Sequence, residues 1–499
     1  MVPTYLRLRG KVGSYSDIFL LKQKGCYRYP LRYFLRSGSV FLSYFLTVLC
    51  IFVILNIIFS SKLFAQDEDV PKYLFPVIGP DVFLNAGYSF VDLKGSSRAE
   101  EYEYLHYSPY LGGEGIYFYF PHRLNIDVEL KNRRDYYNDM SYSYKDLIFF
   151  RSVSRSIFHN LDNIMPVAFN VMTGALSTDI RDAAEVYGIR SGIHSLFLRL
   201  KAPDYPFHIY INNRIVDKEG IRQQTGLLGS GYFNDLLVSS RKREIDWRYN
   251  EITVGTNSHL GPVEIDLSHG ETRFNVKGDN VYFDPYSPSG YGSSLLRESG
   301  IYPHNLIPEI KGFSNTVNFH TSYTGRIVAS ATLTKMEKEN KESGAQADYL
   351  VGSGEVMWMP MPRLTFYVKY RHREKDMDVP SIVTISDISN PIKSYTYILK
   401  DAISSKSDTI SGIIRYRPIK GLNIRAEYTF EDLRRDFATL WGLPSSTKRA
   451  NISISADMRV HRTVNIKTRY SHKEADKPAY NYEPDSADEA RFSLTWVPF

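Results

Sequence analysis

Between Ile410 and Phe430, apolar and polar positions alternate on both sides of a single turn. Ile410, Gly412, Ile414, Tyr416 and Pro418 fall on one side, and Ser411, Arg415 and Arg417 on the other. Pro418-Ile419-Lys420-Gly421 turns the chain. Leu422, Ile424, Ala426, Tyr428 and Phe430 then resume the apolar side against Asn423, Arg425, Glu427, Thr429 and Glu431. A period of two sends successive side chains to opposite faces of a strand. Strands of about ten residues with one apolar and one charged face have the length and pattern of transmembrane β-strands. A closed barrel is the way to place such hairpins in lipid without an unpaired edge.

The unit recurs along the chain. Tight turns are predicted at 120–123, 202–205, 259–262, 323–325, 360–362, 418–421 and 460–462. Alternating strands flank them. Ile116, Phe118 and Phe120 are read as one apolar face, followed by Leu124, Ile126, Val128 and Leu130 against Asn125, Asp127, Glu129 and Lys131. Phe207, Ile209 and Ile211, then Val263, Ile265 and Leu267, then Leu364, Phe366 and Val368 repeat the pattern. Long polar segments near 95–107, 132–184, 217–242, 271–308, 336–348, 374–403, 432–447 and 472–487 alternate with the turns. Short periplasmic turns and long extracellular loops are the expected arrangement.

Seven hairpins with an opening strand at Val82–Leu93 and a closing strand at Ala490–Phe499 give sixteen strands. Leu147–Phe158 reads either at helical spacing or as a strand. As a strand with a partner near Met165–Leu176, it raises the number to eighteen. The expected fold is therefore all-β, a transmembrane antiparallel β-barrel of 16–18 strands over residues 81–499. In the last strand Phe492, Leu494 and Trp496 share a face, while Phe499 is out of register with them, which predicts a bulge.

The N-terminal part follows a different pattern. Phe41–Phe59 is an unbroken apolar run behind Arg28, Arg32 and Arg36, with Ala65 before the acidic Gln66-Asp67-Glu68-Asp69. This predicts a secretory leader over 1–65 with cleavage after Ala65, the other reading being a retained membrane anchor. Residues 66–80 are then a periplasmic N-terminal segment. The leader holds nine Lys/Arg and one acid, so its removal takes the formal net charge from +6 to −2. The basic balance thus belongs to the leader and gives no support for a nucleic-acid partner. Both cysteines, Cys26 and Cys50, leave with it, and the chain has no CxxCH. The aromatic share of 14% suits a barrel with lipid-facing rings.

The polar faces define the candidate site, a lumen wall comprising Asp127, Glu129, Arg199, Glu264, Asp266, Lys369, Arg371, Arg415, Arg417, Arg425, Glu427, Arg459, Lys467 and Arg469. In a wide barrel such residues are a solvated wall or cross-strand ion pairs. Their Lys and Arg gather between 363 and 469, away from the acids near 127–129 and 264–266, a segregation that would bias charged solutes or partners. Catalytic chemistry finds little support. Ser268 and His269 are strand neighbours and point to opposite faces, and His320 with Ser322 has no third group. The histidines lack metal-ligand spacing, and Met357, Met359 and Met361 read as packing beside a turn. No catalytic, metal or cofactor residues are assigned.

Phe158-His159-Asn160-Leu161-Asp162-Asn163, Asn257-Ser258-His259-Leu260-Gly261-Pro262-Val263-Glu264, Tyr302-Pro303-His304-Asn305-Leu306 and His320-Thr321-Ser322-Tyr323-Thr324-Gly325-Arg326 resemble segments of the outer-membrane barrels of porin–cytochrome electron conduits. The likeness spans roughly residues 80 to 330, without the CxxC that better-known members carry near the mature N-terminus. It implies a barrel in outer-membrane lipid that acts as a sleeve. The sleeve would hold a periplasmic multihaem cytochrome across the bacterial outer membrane, so that electrons reach an extracellular cytochrome. The haems would belong to the partner and the lumen wall would be a protein interface. The alternative from the residues alone is a passive or substrate-selective porin for small solutes, with a loop from 132–184 folded inward as a constriction.

Overall fold

The computed structural model describes residues 81–497, apart from 96, 103–104, 133, 162–169, 172–173, 176, 181, 183–185, 204, 229–236, 287, 292–293, 324 and 480–482. The expected leader, the 66–80 segment and Phe499 lie outside the described residues. Among the described residues, eighteen strands form one antiparallel meander: β1 Asp81–Ser89, β2 Ser108–Tyr119, β3 His122–Leu130, β4 Tyr136–Tyr144, β5 Ile148–Leu161, β6 Tyr187–Lys201, β7 Phe207–Leu228, β8 Leu237–Leu260, β9 Val263–Val276, β10 Ile310–Tyr323, β11 Ile327–Asn340, β12 Gln346–Met361, β13 Leu364–Asp378, β14 Ser405–Tyr416, β15 Leu422–Arg435, β16 Ser446–His461, β17 Val464–Asp476 and β18 Ser486–Trp496. Each pairs with its neighbours in sequence. The short segment Ser177–Ile180 adds a parallel contact to the start of β8.

All seven predicted tight turns join consecutive strands. An eighth was not foreseen. Lys145, in the left-handed region at φ 49°, sits in the short connection between β4 and β5, so the stretch 132–184 is not one long loop. Leu147–Phe158 is a strand, as one reading had it, but β5 pairs with β4 and β6 rather than with a partner near 165–176. The polar ends of the strands also run further than their apolar pattern does. β7 and β8 extend for 22 and 24 residues, well beyond the ten or so that cross a bilayer.

Register fixes the faces, because residues directly opposite in an antiparallel pair lie on the same side. Gly412, Tyr428, Ile452 and His472 form one cross-strand row, and Ile414, Ala426, Ile454 and Tyr470 another. Leu200, Ile209, Thr256, Leu267 and Val317 continue the apolar face elsewhere. Many of its large side chains are exposed, including Ile454 at 51%, as expected of a face whose solvent is lipid. Tyr142, Trp358, Phe366, Tyr416 and Trp496 supply aromatic rings toward the turn end of this face, where barrels carry an aromatic girdle. The reading of β2 was displaced by one residue. Ile116 stands opposite Asn125 and Phe118 opposite Arg123, on the polar face, whereas Tyr117 opposite Leu124 is apolar-side. Three glycines, Gly112, Gly113 and Gly115, had removed the alternation that would have set the phase.

Among the described residues β1 and β18 form no ladder with each other, and β1 is exposed along its length. Open edges are untenable in hydrocarbon, where every backbone polar group needs a partner. The even strand number makes these two edges antiparallel. Residues 66–499 contain no cysteine, so a cysteine at Leu84 paired in turn with cysteines along β18 is expected to form a disulfide at one register in the membrane. A gel-shift assay checks this; failure at every position would mean that the wall closes some other way.

Candidate functional site

The polar face is a lattice of charges set by register. At its acidic end Glu114, Asp127 and Asp139 stand directly opposite one another on β2, β3 and β4, and Glu129 lies between Gly112 and Tyr137. Only Asp139 of these four is ion-paired among the described residues, receiving Arg151 Nη2 at 2.7 Å. Arg199 on β6 faces Phe149 and Tyr210 and donates to Asp146 at 2.6 Å. Asp266 accepts from Tyr210 Oη at 3.1 Å and Asn318 Nδ2 at 3.3 Å, and Glu264 accepts from Asn257 Nδ2 at 2.7 Å.

From β13 onward the same face becomes basic. Lys369 pairs with Glu355 at 2.9 Å, Arg425 with Glu427 at 2.7 Å and Lys467 with Asp457 at 3.6 Å. Arg371 stands between Ser353 and Thr409, Arg459 opposite Asn465, and Arg469 between Ser455 and Arg491. Arg415 faces Thr365 on β13 and Arg425 on β15. Arg417 lies one residue beyond β14, in the turn, where its N–H donates to Arg363 O at 2.8 Å. The register thus brings all the candidate residues except Arg417 onto one face.

A second cluster was missed in the sequence because it lies in segments read as polar loops. In β8 the odd positions Glu251, Thr253 and Asn257 are on the polar face, and an unbroken register with β7 carries that parity back through Trp247, Ile245, Arg243 and Arg241. Onto this extended face folds the stretch 277–309, which contains a hairpin of Tyr282–Tyr286 with Gly300–His304. Arg243, only 2% exposed, donates to the carbonyls of Asp279 at 3.0 Å, Asn280 at 3.1 Å and Asn305 at 2.9 Å. Tyr282 lies against two guanidinium groups, 4.4 Å from Arg241 and 4.9 Å from Arg243, and its hydroxyl donates to Lys242 O at 3.0 Å. Burial pushes its phenol up to about 12. The fully buried Asp284 carboxylate is held by Arg241 and His304. The alternation Arg241, Arg243, Ile245, Trp247, Tyr249 was the available signal, masked by its polar character.

A second loop, 379–404, closes onto the first. Its hairpin pairs Ile382–Ser386 with Ser394–Ile398. Ile301 N–H donates to Asp387 Oδ1 at 3.1 Å and Ile388 N–H to Ile301 O at 3.0 Å. Glu298 N–H donates to Tyr395 Oη at 3.0 Å, and Lys393 pairs with Glu298 at 2.9 Å. Of the expected inward loop 132–184, much of 132–161 is wall instead, and the stretch that folds onto the polar face is 277–309.

Asp284 gives a pH prediction. Burial raises its carboxyl, but hydrogen bonds from Arg241 and His304 and the charges of both outweigh this, and the net shift is below the ordinary 3.8. A carboxyl depressed on folding contributes stability that is present above its unfolded value and lost as pH falls through its folded one. The 277–309 loop is therefore expected to hold above pH 4 and to loosen below about pH 3.8. Limited proteolysis by pepsin across pH 2–5 reads this, with Asp284→Asn expected to be loose throughout.

No family model and no curated protein sequence matches the chain. Among solved structures it is similar to the RagAB peptide transporter at 8% identity, with a TM-score of 0.44 over 79% of this chain and 54% of that one. It is also similar to the copper transporter OprC at 8% identity, TM-score 0.44, over 84% and 64% of the two chains. OmpT of Vibrio cholerae follows at 12% identity, TM-score 0.29, over 67% and 83%. The chain spans about half the length of the RagAB chain, 54%. Its class rests on its own wall: an antiparallel meander with one apolar and one polar face has the pattern of a transmembrane β-sheet. Among the described residues no group of three or more His, Cys, Asp or Glu is placed to hold a metal ion.

Proposed function

We propose that the chain is an outer-membrane pore for small polar solutes, whose lumen is lined by the polar face and narrowed at its outer mouth by the loops 277–309 and 379–404. The observation that carries this reading is Arg243, which ties three loop carbonyls to the same face of β8 that bears Glu251 and Asn257. A loop anchored on the lining of a barrel is how a wide wall becomes a selective opening. Purified, refolded protein in a planar bilayer is expected to give discrete ionic current steps without any partner. Folded protein that carries no current would contradict the pore.

The sleeve of an electron conduit is the second reading. It is favoured by a wall of eighteen described strands whose polar face offers charges that make no ion pair among the described residues, such as Asp127, Glu129 and Arg371, to a protein inside. Isolation from native membranes under mild detergent distinguishes the two. A sleeve carries a haem absorbance in stoichiometric amount, whereas a pore is colourless and conducts alone.

A further inference from the structure

Four arginines fall in a single cross-strand row on the polar face. Arg415 on β14 stands directly opposite Arg425 on β15, Arg425 opposite Ser455 on β16, Ser455 opposite Arg469 on β17, and Arg469 opposite Arg491 on β18. Directly opposite residues have Cβ atoms about 4.5–5.5 Å apart, and like charges so placed are destabilising. The row therefore repeats an unfavourable juxtaposition twice, at Arg415/Arg425 and at Arg469/Arg491. Its counter-charges are incomplete. Arg425 is paired with Glu427 and Arg491 with Glu489, each on its own strand. Among the described residues Arg415 has only a neutral partner, the Tyr367 hydroxyl at 3.3 Å, with the Tyr367 ring 4.9 Å away. Arg469 makes no hydrogen bond or ion pair among the described residues. The basic surroundings add to the effect, since Arg371, Arg373, Lys467 and Lys473 lie on the same face of neighbouring strands.

We infer that this row is an oxyanion-binding subsite in the pore wall, selecting solutes with two or more negative charges, of the phosphate or dicarboxylate class. The inference rests on the pore reading and names its substrate class. Guanidinium groups present fixed donor forks that match carboxylate and phosphate oxygens, and two adjacent forks suit a ligand with two charged edges. A bound dianion relieves the repulsion that the row otherwise carries. Glu427 and Glu489 each hold one fork of an adjacent pair, which leaves Arg415 beside Arg425 and Arg469 beside Arg491 as two exchangeable binding positions and keeps affinity low enough for release. Binding strong enough to admit an ion and weak enough to let it go is what conduction requires.

The test uses the refolded full barrel in a planar bilayer, with inorganic phosphate and succinate as probes. Under a KCl gradient the reversal potential is expected to show anion selectivity, and phosphate is expected to block chloride current. In the Arg415→Gln/Arg469→Gln variant the blocking concentration should rise about tenfold or more, the loss of charge-assisted hydrogen bonds to the anion. Lys335→Gln, on the other face of β11 opposite Leu350, should leave it unchanged. Heat-modifiable gel mobility verifies folding, and Arg469→Lys, which keeps the charge but loses the fork, should weaken block by a smaller factor. A conducting wild type that prefers cations, or a double variant blocked at the wild-type concentration, overturns the subsite and leaves the pore standing. A folded wild type with no current overturns both.

Discussion

Ile454→Arg is expected to abolish assembly of the folded barrel, while Ser330→Arg is tolerated. Ile454 lies on the apolar face of β16, between Ala426 on β15 and Tyr470 on β17, and is 51% exposed without lipid. Arginine at the bilayer midplane of such a face costs about 2–4 kcal/mol, a large share of the few kcal/mol that separate folded from unfolded. Ser330 is on the opposite face, exposed, and directly across from Glu355, where an arginine gains a counter-charge. The two substitutions are chemically alike and differ only in face. Heat-modifiable mobility and protease resistance in outer-membrane preparations measure the outcome. Equal tolerance of both would remove the assignment of faces.

Arg243→Ala is expected to release the 277–309 loop without unfolding the wall. The guanidinium group is the shared donor to the carbonyls of Asp279, Asn280 and Asn305, and it also packs against Tyr282. Leaving buried acceptors unsatisfied costs about 1–3 kcal/mol each, less whatever water recovers, so a loss of about 3 kcal/mol in loop attachment is the expected scale. The wall below is held by ladders that do not involve this side chain. Conductance should therefore rise and become noisy, and a protease should cut within 277–309, while heat-modifiable mobility stays that of wild type. Arg243→Lys, which cannot span three carbonyls in a fixed plane, should fall between.

What the sequence disclosed depended on contrast between faces. The turns and the phase of β14 to β17 were legible because Ile, Tyr and Leu alternate there with Arg, Lys and Glu, and a one-residue slip would invert every side chain. Where contrast fails, so does the reading. β2 carries Gly112, Gly113 and Gly115, and the phase assigned to Ile116 and Phe118 was displaced. Tyr136–Tyr144 carries tyrosine on both faces and Asn138 on the apolar side, so β4 passed for loop and the eighth hairpin was missed. The mouth cluster was hidden for a related reason. Above the membrane both faces of a strand meet polar surroundings, so β7 and β8 lose the amphipathic signature while keeping their ladder. The row from Arg415 to Arg491 needed the registers of four successive strand pairs, information that alternation within one strand does not contain.

The claim on which the rest depends is that one face of this wall meets water and the other lipid. Spin labels placed one at a time on cysteines at positions 409–414 of β14, in the barrel reconstituted into bilayers, test it directly through their accessibility to a water-soluble nickel chelate and to oxygen. Labels at Thr409 and Ser411 are predicted to favour the chelate, and those at Ile410, Gly412 and Ile414 to favour oxygen, with a period of two. Accessibility that does not alternate, or that alternates in the opposite phase, would contradict the account.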